Sequence, residues 1–275
     1  MKIKFKHILP LLATTAMFSC SKTFLDVEPR GTTLESNYYS TPAEAFAGLV
    51  SVYDPLGQET GSTYMSRVGL FNCPSDDAYA GGGSSSDVPA WQAWSNFTVD
   101  AGVGPQGDLW NRNYTGIYRA NLLLNKIDNV KGLDANTKAR YIAETKFLRA
   151  YYYFDLVRLF KNIPLIVAPV PTGDIYNITQ ASPGDVYAQI EKDLNEAISS
   201  LPPTVPVTTE GGRVTQGAAK ALLGKVIIYQ NNNSRMAQAA ALLEDVNKAG
   251  NIYGYSLQTT FANIFRPDNK FNSES

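Results

Sequence analysis

Hydrophobic positions recur at helical spacing through most of the chain, and the densest run lies between Tyr141 and Pro164. Ala143, Phe147, Ala150, Phe154 and Val157 stand three and four apart, which lines one side of a helix. Tyr151, Tyr153, Leu156, Leu159 and Phe160 fill most of the other sides. Between Ala150 and Phe160 only Asp155 and Arg158 carry charge, three apart, where they can pair. A helix this apolar must be enclosed by other elements. Asn162 suits a left-handed turn and Pro164 disfavours helical geometry at Ile163, so the helix is expected to stop there.

The same pattern predicts further helices around this one. Thr41-Pro42-Ala43-Glu44 is a helix start, with threonine as cap, proline at the first helical position and glutamate three on. That helix carries Ala45, Phe46, Leu49, Val52 and Tyr53 and is expected to end at Asp54-Pro55. A second runs from Asp108 to about Asn129. Gly132 breaks it, and Asp134 caps the central helix. Ser182-Pro183-Gly184-Asp185 opens another, with Val186, Ile190, Leu194, Ala197 and Ile198 on one stripe. Thr215 caps a helix over Gln216 to about Gln230, and Ser234 is expected to cap its partner, Arg235 to about Lys248. The short link Asn231-Asn232-Asn233 makes these two antiparallel neighbours with small residues facing, as in tetratricopeptide hairpins. From Gly57 to Gly107 the periodicity disappears, and this irregular stretch holds Trp91 and Trp94. Long irregular segments within compact proteins are usually functional or disordered, and two tryptophans argue against disorder.

Composition narrows the function. The chain has 275 residues, 44% of them hydrophobic, and a formal net charge of −1. That balance provides no basic field to track a phosphate backbone, so no nucleic-acid partner is expected. Lys2, Lys4 and Lys6 precede the apolar run Ile8 to Phe18, which is too short to span a bilayer but fits a secretory leader over residues 1–19. Cys20 follows a small residue at the end of that run, the arrangement of a bacterial lipoprotein processing site, where acyl chains on the thiol anchor the protein. The alternative is an ordinary leader with an incidental cysteine. The one histidine, His7, lies inside the leader, so the mature chain would contain no imidazole for a triad or a histidine metal site. No cofactor and no metal are expected. Cys20 and Cys73 make no disulfide framework.

Four ordered segments carry a family resemblance: Cys20-Ser-Lys-Thr-Phe-Leu-Asp-Val-Glu-Pro-Arg-Gly31, Trp110-Asn-Arg-Asn-Tyr-Thr-Gly-Ile-Tyr-Arg-Ala-Asn121, Ala143-Glu-Thr-Lys-Phe-Leu-Arg-Ala-Tyr-Tyr-Tyr-Phe154 with its Ile163-Pro164-Leu165 exit, and Gly212-Arg-Val-Thr-Gln-Gly-Ala-Ala-Lys-Ala-Leu222. Together they resemble the SusD/RagB family of Bacteroidetes outer-membrane nutrient-binding lipoproteins. The resemblance implies a mainly α fold with tetratricopeptide-like helical hairpins and a long irregular loop region. It also implies a non-enzymatic, lipid-anchored protein at the cell surface that binds a glycan or other oligomeric nutrient and passes it to a SusC-like TonB-dependent transporter. Family members continue well past the position of Ser275, so residues 20–275 are expected to be the amino-terminal portion of such a protein.

Trp91 and Trp94 are the ligand candidates. An indole offers a flat apolar face to a sugar ring, and the nearby amide of Asn96 can bond ring hydroxyls. The alternative is that both rings simply pack beneath the loop. Other motifs carry less. Asp76-Asp77 has no calcium-loop spacing and reads as a surface turn. Gly102-Val-Gly104-Pro-Gln-Gly107 spells a dinucleotide fingerprint, but Pro105 removes a donor from the phosphate cradle and Asp128, about twenty residues on, falls at a helix end. Cys73 reads as a small buried hydrophobe. Glu144, Arg149, Asp155 and Arg158 read as internal ion pairs. Two rival functions remain open: a helical-hairpin protein that binds a peptide or protein partner without small-ligand capture, and a two-carboxylate glycosidase, for which no distinctive motif is present.

Overall fold

A computed structural model describes residues 38–57, 71–104 and 106–274. The leader 1–19, Cys20 and the residues up to 37 lie outside them. The chain divides after Tyr38, and all the elements below belong to the unit Tyr39–Ser275.

Helix α1 (Pro42–Gly57) starts as its sequence demands. The Glu44 carboxylate accepts the N–H groups of Ser40 (2.7 Å) and Thr41 (2.9 Å), while the Thr41 hydroxyl accepts that of Glu44 (3.3 Å). These bonds satisfy donors that no helical carbonyl can reach. The end differs from expectation, because the helix continues through Pro55 to Gly57. Proline at 55 cannot donate to the carbonyl of Ser51. Arg119 does so instead, its Nη1 lying 2.9 Å from that oxygen and 2.7 Å from the Asp54 carboxylate.

The remaining α-helices among the described residues are α2 (Pro89–Ser95), α3 (Gln106–Lys126) with a 3₁₀ turn over Ile127–Asn129, α4 (Ala135–Phe160), α5 (Pro183–Ile198), the single turn α6 (Val207–Glu210), α7 (Gln216–Tyr229) and α8 (Met236–Asn247). Asp134, Ser182 and Thr215 cap α4, α5 and α7 through side-chain oxygens, as expected. Two boundaries are corrected. Asn232, not Ser234, supplies the capping oxygen at the last hairpin, and it serves a 3₁₀ turn that precedes α8. At the end of α4 the positive φ falls on Lys161 (64°), whose N–H bonds the Val157 carbonyl, so Asn162 has no left-handed role.

Helix α4 is enclosed, with Leu148, Ala150, Tyr153 and Leu156 fully buried. It packs on α3 and α5; α1 leans on α3, α7 on α5, and α8 on α7 as an antiparallel hairpin. Gly224 of α7 faces Leu243 of α8, so the small-residue face predicted for this hairpin is where the helices meet.

The proline-rich crossing after α4 has few backbone partners of its own. A two-residue antiparallel ladder pairs β1 (Ile163–Pro164) with β2 (Gln180–Ala181). Helix side chains satisfy several others. The Tyr153 hydroxyl donates to the Ile166 carbonyl (2.6 Å) and accepts its N–H (2.7 Å), Asn121 donates to the same carbonyl (2.8 Å), and Tyr114 donates to that of Pro164 (2.7 Å). Buried backbone groups in irregular segments require such partners. Burial also pushes the Tyr53, Tyr114, Tyr152 and Tyr153 phenols well above the usual tyrosine range, which keeps them as neutral donors.

Candidate functional site

The stretch expected to be irregular contains a built element. Pro89 opens α2, whose seven residues carry both tryptophans. Gln92 reaches back with its amide to the carbonyls of Ser84 (2.8 Å) and Asp87 (2.7 Å), and the Asp87 carboxylate accepts the Gly83 N–H (2.9 Å). The glycine-serine run is therefore folded onto the helix. Gly82 is required within it: its φ is +113°, and a Cβ there would stand 2.6 Å from the Gln92 amide nitrogen.

Trp91 and Trp94 are three apart, so they share one side of α2. With Ala90, Leu159 and Phe160 they cover buried Leu109 at the start of α3. Both indoles are half-buried, fully enclosed in neither case and fully exposed in neither. The rings pack, and each keeps part of its surface in solvent. Nearby, Trp110 meets the Phe160 ring edge-on at 5.1 Å. The meeting of α2, α3 and the end of α4 is therefore rich in aromatic surface.

Asn96 caps the C-terminus of α2 and is exposed. The turn beyond it is a Schellman motif: the Thr98 N–H bonds the Ala93 carbonyl (2.8 Å) and the Phe97 N–H bonds that of Trp94 (3.4 Å). The residue in the left-handed position is Phe97, with φ 56°, where glycine is usual. A left-handed non-glycine residue costs roughly 1–2 kcal/mol. The Phe97 ring recovers none of this by burial, since it is 76% exposed. The other end of α2 is also strained, since its N-cap is Val88 at φ 43°, ψ 57°, an uncommon conformation for a β-branched residue. From Phe97 the chain enters α3 through a turn in which the Asp100 carboxylate accepts the N–H groups of Gly102 (2.7 Å) and Val103 (2.8 Å). Beside that turn the Gln106 Oε1 is buried with no hydrogen-bond partner among the described residues.

The remaining sequence candidates fall as predicted. Asp76 and Asp77 are exposed, in a turn where Ser75 accepts the Asp77 N–H. The glycine fingerprint follows the helix α2 rather than a strand, so it lacks the setting a dinucleotide needs. Cys73 is a buried thiol whose pKa burial raises. Among the described residues no group of His, Cys, Asp or Glu is arranged to hold a metal ion. No helix among them is long and apolar enough to cross a membrane.

A cleft of about 600 Å³ lies elsewhere, lined by Tyr53, Phe147, Arg213, Tyr253, Tyr255 and Phe271 among others, and not by Trp91, Trp94 or Asn96. Sequence reading did not find it, because its walls come from α1, α4, α7 and the last residues of the chain, and no local pattern links these. Arg213, the one cation among the described residues that line it, is already engaged. Arg213 contacts Glu144 at 2.6 Å and Glu210 at 2.9 Å, while the Tyr53 hydroxyl donates to Glu144 (2.6 Å) and accepts the Val214 N–H (3.0 Å). That set fixes the Gly211-Gly212-Arg213 loop against α1 and α4.

The described residues form an α-helical scaffold closed by an antiparallel hairpin, with an aromatic, uncharged segment at its surface. A SusD-like family model, described as starch-binding associating with outer membrane, matches residues 24–228. The chain belongs to the SusD-like family. It is similar to a solved laminarin binding SusD-like protein, with 45% identity and a TM-score of 0.79 over 86% of this chain and 50% of that one. A surface glycan-binding protein A from Bacteroides thetaiotaomicron, solved in complex with laminarihexaose, is 25% identical with a TM-score of 0.73, covering 86% of this chain and 48% of its own. SusD-like protein P25 of Formosa agariphila is 25% identical over 94% of this chain and 48% of that protein. The chain therefore spans about half the length of the relatives it matches.

Proposed function

We propose that this chain is a glycan-capturing component of a nutrient-uptake system at the outer membrane, with no catalytic role. The observation that carries the reading is its likeness, at 45% identity across 86% of the chain, to a laminarin binding SusD-like protein. The half-exposed indoles of Trp91 and Trp94 and the exposed amide of Asn96 supply the surface: apolar faces for sugar C–H groups and a donor-acceptor pair for hydroxyls. Affinity electrophoresis in laminarin gels tests it. Wild type is expected to be retarded. Trp91→Ala and Trp94→Ala are each expected to weaken retention by roughly three- to tenfold, the equivalent of about 0.5–1.5 kcal/mol per ring contact. Unchanged retention in both variants would remove the indoles from the site.

The anchor and partner belong to the same proposal. Acyl chains on Cys20 hold the protein on the membrane, and a SusC-like TonB-dependent transporter receives the captured glycan. Detergent extraction of cells expressing the full-length chain checks both. Wild type should fractionate with the membrane and copurify a large transporter, and Cys20→Ala should move to the soluble fraction. A Cys20→Ala protein that stays with the membrane rules out this anchor, and a wild type that brings down no transporter rules out the hand-over.

A second reading has one observation in its favour. Ile252, Leu257, Phe261 and Phe265 are exposed on the segment after α8, where Phe261–Phe265 is a 3₁₀ turn, and the two phenylalanine rings contact each other at 5.2 Å. Such a surface suits a protein partner. Copurification of a partner with no retention on any polysaccharide favours it over glycan capture.

A further inference from the structure

After α8 the chain lies against the start of α7 and the diglycine loop before it, yet it barely joins them. Of residues 251–274 only Tyr253 is buried, at 5% exposure. Two cavities lie between this segment and the helices. One is the cleft of about 600 Å³; the other, of about 440 Å³, has Gly217, Ala221 and Val246 on the helix side and Ser256 and Leu257 on the other. Tyr255 and Ser273 line both. Beyond Asn251, the hydrogen bonds from the described residues of the segment to the helices and their caps pass through two phenols. Tyr253 donates to Asp245 of α8 (2.7 Å) and accepts from Lys220 of α7 (2.7 Å), and Tyr255 bonds the Thr215 hydroxyl at 2.7 Å.

The rings that hold the segment are seated on glycines. A Cβ at Gly217 would stand 2.5 Å from a ring carbon of Tyr255 and 2.9 Å from Cγ of Tyr253. One at Gly211 would stand 2.9 Å from the Phe271 ring, which also covers Gly212 at 3.3 Å. Phe271 reaches this seat with φ at 61°, a strained conformation for a bulky residue. At the other end Gly250 has φ at +68° with open space where a Cβ would stand, so the chain can pivot there without meeting a neighbour. Between these points the segment is tied to itself: the Ser256 N–H bonds the Ser273 carbonyl (3.0 Å), and the Ser273 hydroxyl donates to the Ser256 carbonyl (2.7 Å). A stretch with one buried side chain, its own internal bonds and little packing beneath it opens at a lower free energy than the fold that carries it.

We propose that residues 251–274 form a strap, hinged at Gly250, that closes the cleft by laying three rings on Gly211, Gly212 and Gly217, and that swings open as a unit while the helices stay folded. Opening releases the strain at Phe271 and uncovers Tyr53, Phe147 and Val214 on the walls that α1, α4 and the start of α7 supply. Access to the cleft is therefore set by the strap. Trp91, Trp94 and Asn96 do not line this cleft, so the strap stands or falls apart from glycan capture at α2.

Thiol labelling of the full-length chain tests it, with mass spectrometry identifying the labelled position. Val214→Cys places a thiol under the strap, and Val226→Cys places one on the fully buried face of α7. The first is expected to react with a maleimide at least about a hundredfold faster than the second, because it needs only the local opening. Its rate should change little in dilute urea, while the rate at 226 rises steeply with the larger surface that opening α7 exposes. Gly217→Ala, which pushes both tyrosine rings off α7, is expected to speed labelling at 214 by roughly tenfold or more, with the rate at 226 and the Tm held because alanine is the better helix former. Tyr253→Phe, which keeps the ring and loses the bonds to Asp245 and Lys220, is expected to speed it by roughly two- to tenfold. Equal rates at 214 and 226 overturn the strap, since the segment then opens only with the fold. Unchanged labelling at 214 in Gly217→Ala overturns the glycine seats as its latch. A Gly217→Ala chain that labels faster at both positions and loses Tm makes the rings part of the core, and overturns the proposal as well.

Discussion

Asp193→Ala is expected to destabilise the protein by about 3–5 kcal/mol, measured by urea or guanidinium unfolding. Asp193 of α5 and Arg149 of α4 are 1% and 5% exposed, and they meet in a two-pronged contact: Nε to Oδ2 at 2.8 Å and Nη2 to Oδ1 at 2.7 Å. The guanidinium also donates to the Asn121 side chain at 2.8 Å and to the Val167 carbonyl at 3.1 Å. One arginine thus joins α3, α4, α5 and the proline-rich crossing. Removing the carboxylate leaves a buried cation facing only neutral acceptors, and the cost is that of the orphaned charge rather than the worth of the pair. The double variant Arg149→Met with Asp193→Leu separates the two. It is expected to recover most of the loss, because apolar residues of similar size have no desolvation penalty to offset. A single variant that loses less than about 1 kcal/mol would show that water reaches the pair.

Tyr152→Ala is expected to lose about 3–5 kcal/mol by the same measurement. The Tyr152 ring of α4 is 1% exposed and lies over Gly116 of α3, where a Cβ would stand 2.3 Å from a ring carbon. Its hydroxyl crosses to α1 and donates to the Val52 carbonyl at 2.6 Å. The three helices therefore meet on this side chain. Tyr152→Phe keeps the ring and loses only the hydrogen bond, a cost of about 1–2 kcal/mol. Gly116→Ala alone is expected to cost about 1–3 kcal/mol, because the added methyl forces the ring aside. In the Tyr152→Ala background the same substitution should be neutral or stabilising, since the space is then empty and alanine is the better helix former by about 1 kcal/mol. Additive losses in the double variant would mean that the glycine and the ring are not coupled.

These two contacts mark the limit of what a linear reading supplies. That Asp155 and Arg158 pair follows from their spacing on one helix, and the pair is formed. That Arg149 must find a carboxylate also follows from its place on a buried face. The partner could not be named, because Asp193 sits 44 positions away on a helix whose rotation against α4 is set by packing. Gly116 is a similar case. A glycine inside a helical pattern announces a close approach, and only the assembled helices identify Tyr152 as what approaches.

The chain by itself determined the longer helices, most of their caps, the enclosure of the stretch from Ala143 to Val157, and the family through four ordered segments. These are decided by residues within one or two turns of each other, so periodicity and capping chemistry suffice to read them. The tertiary structure decided what depends on distant partners. It allowed α1 to run through Pro55, because Arg119 bonds the Ser51 carbonyl that proline leaves open. It turned the irregular tryptophan stretch into a helix by giving the indoles Leu109 to cover. It also showed Phe97 strained and in solvent, because backbone dihedrals and exposure are properties of the folded chain and leave no trace in the order of residues.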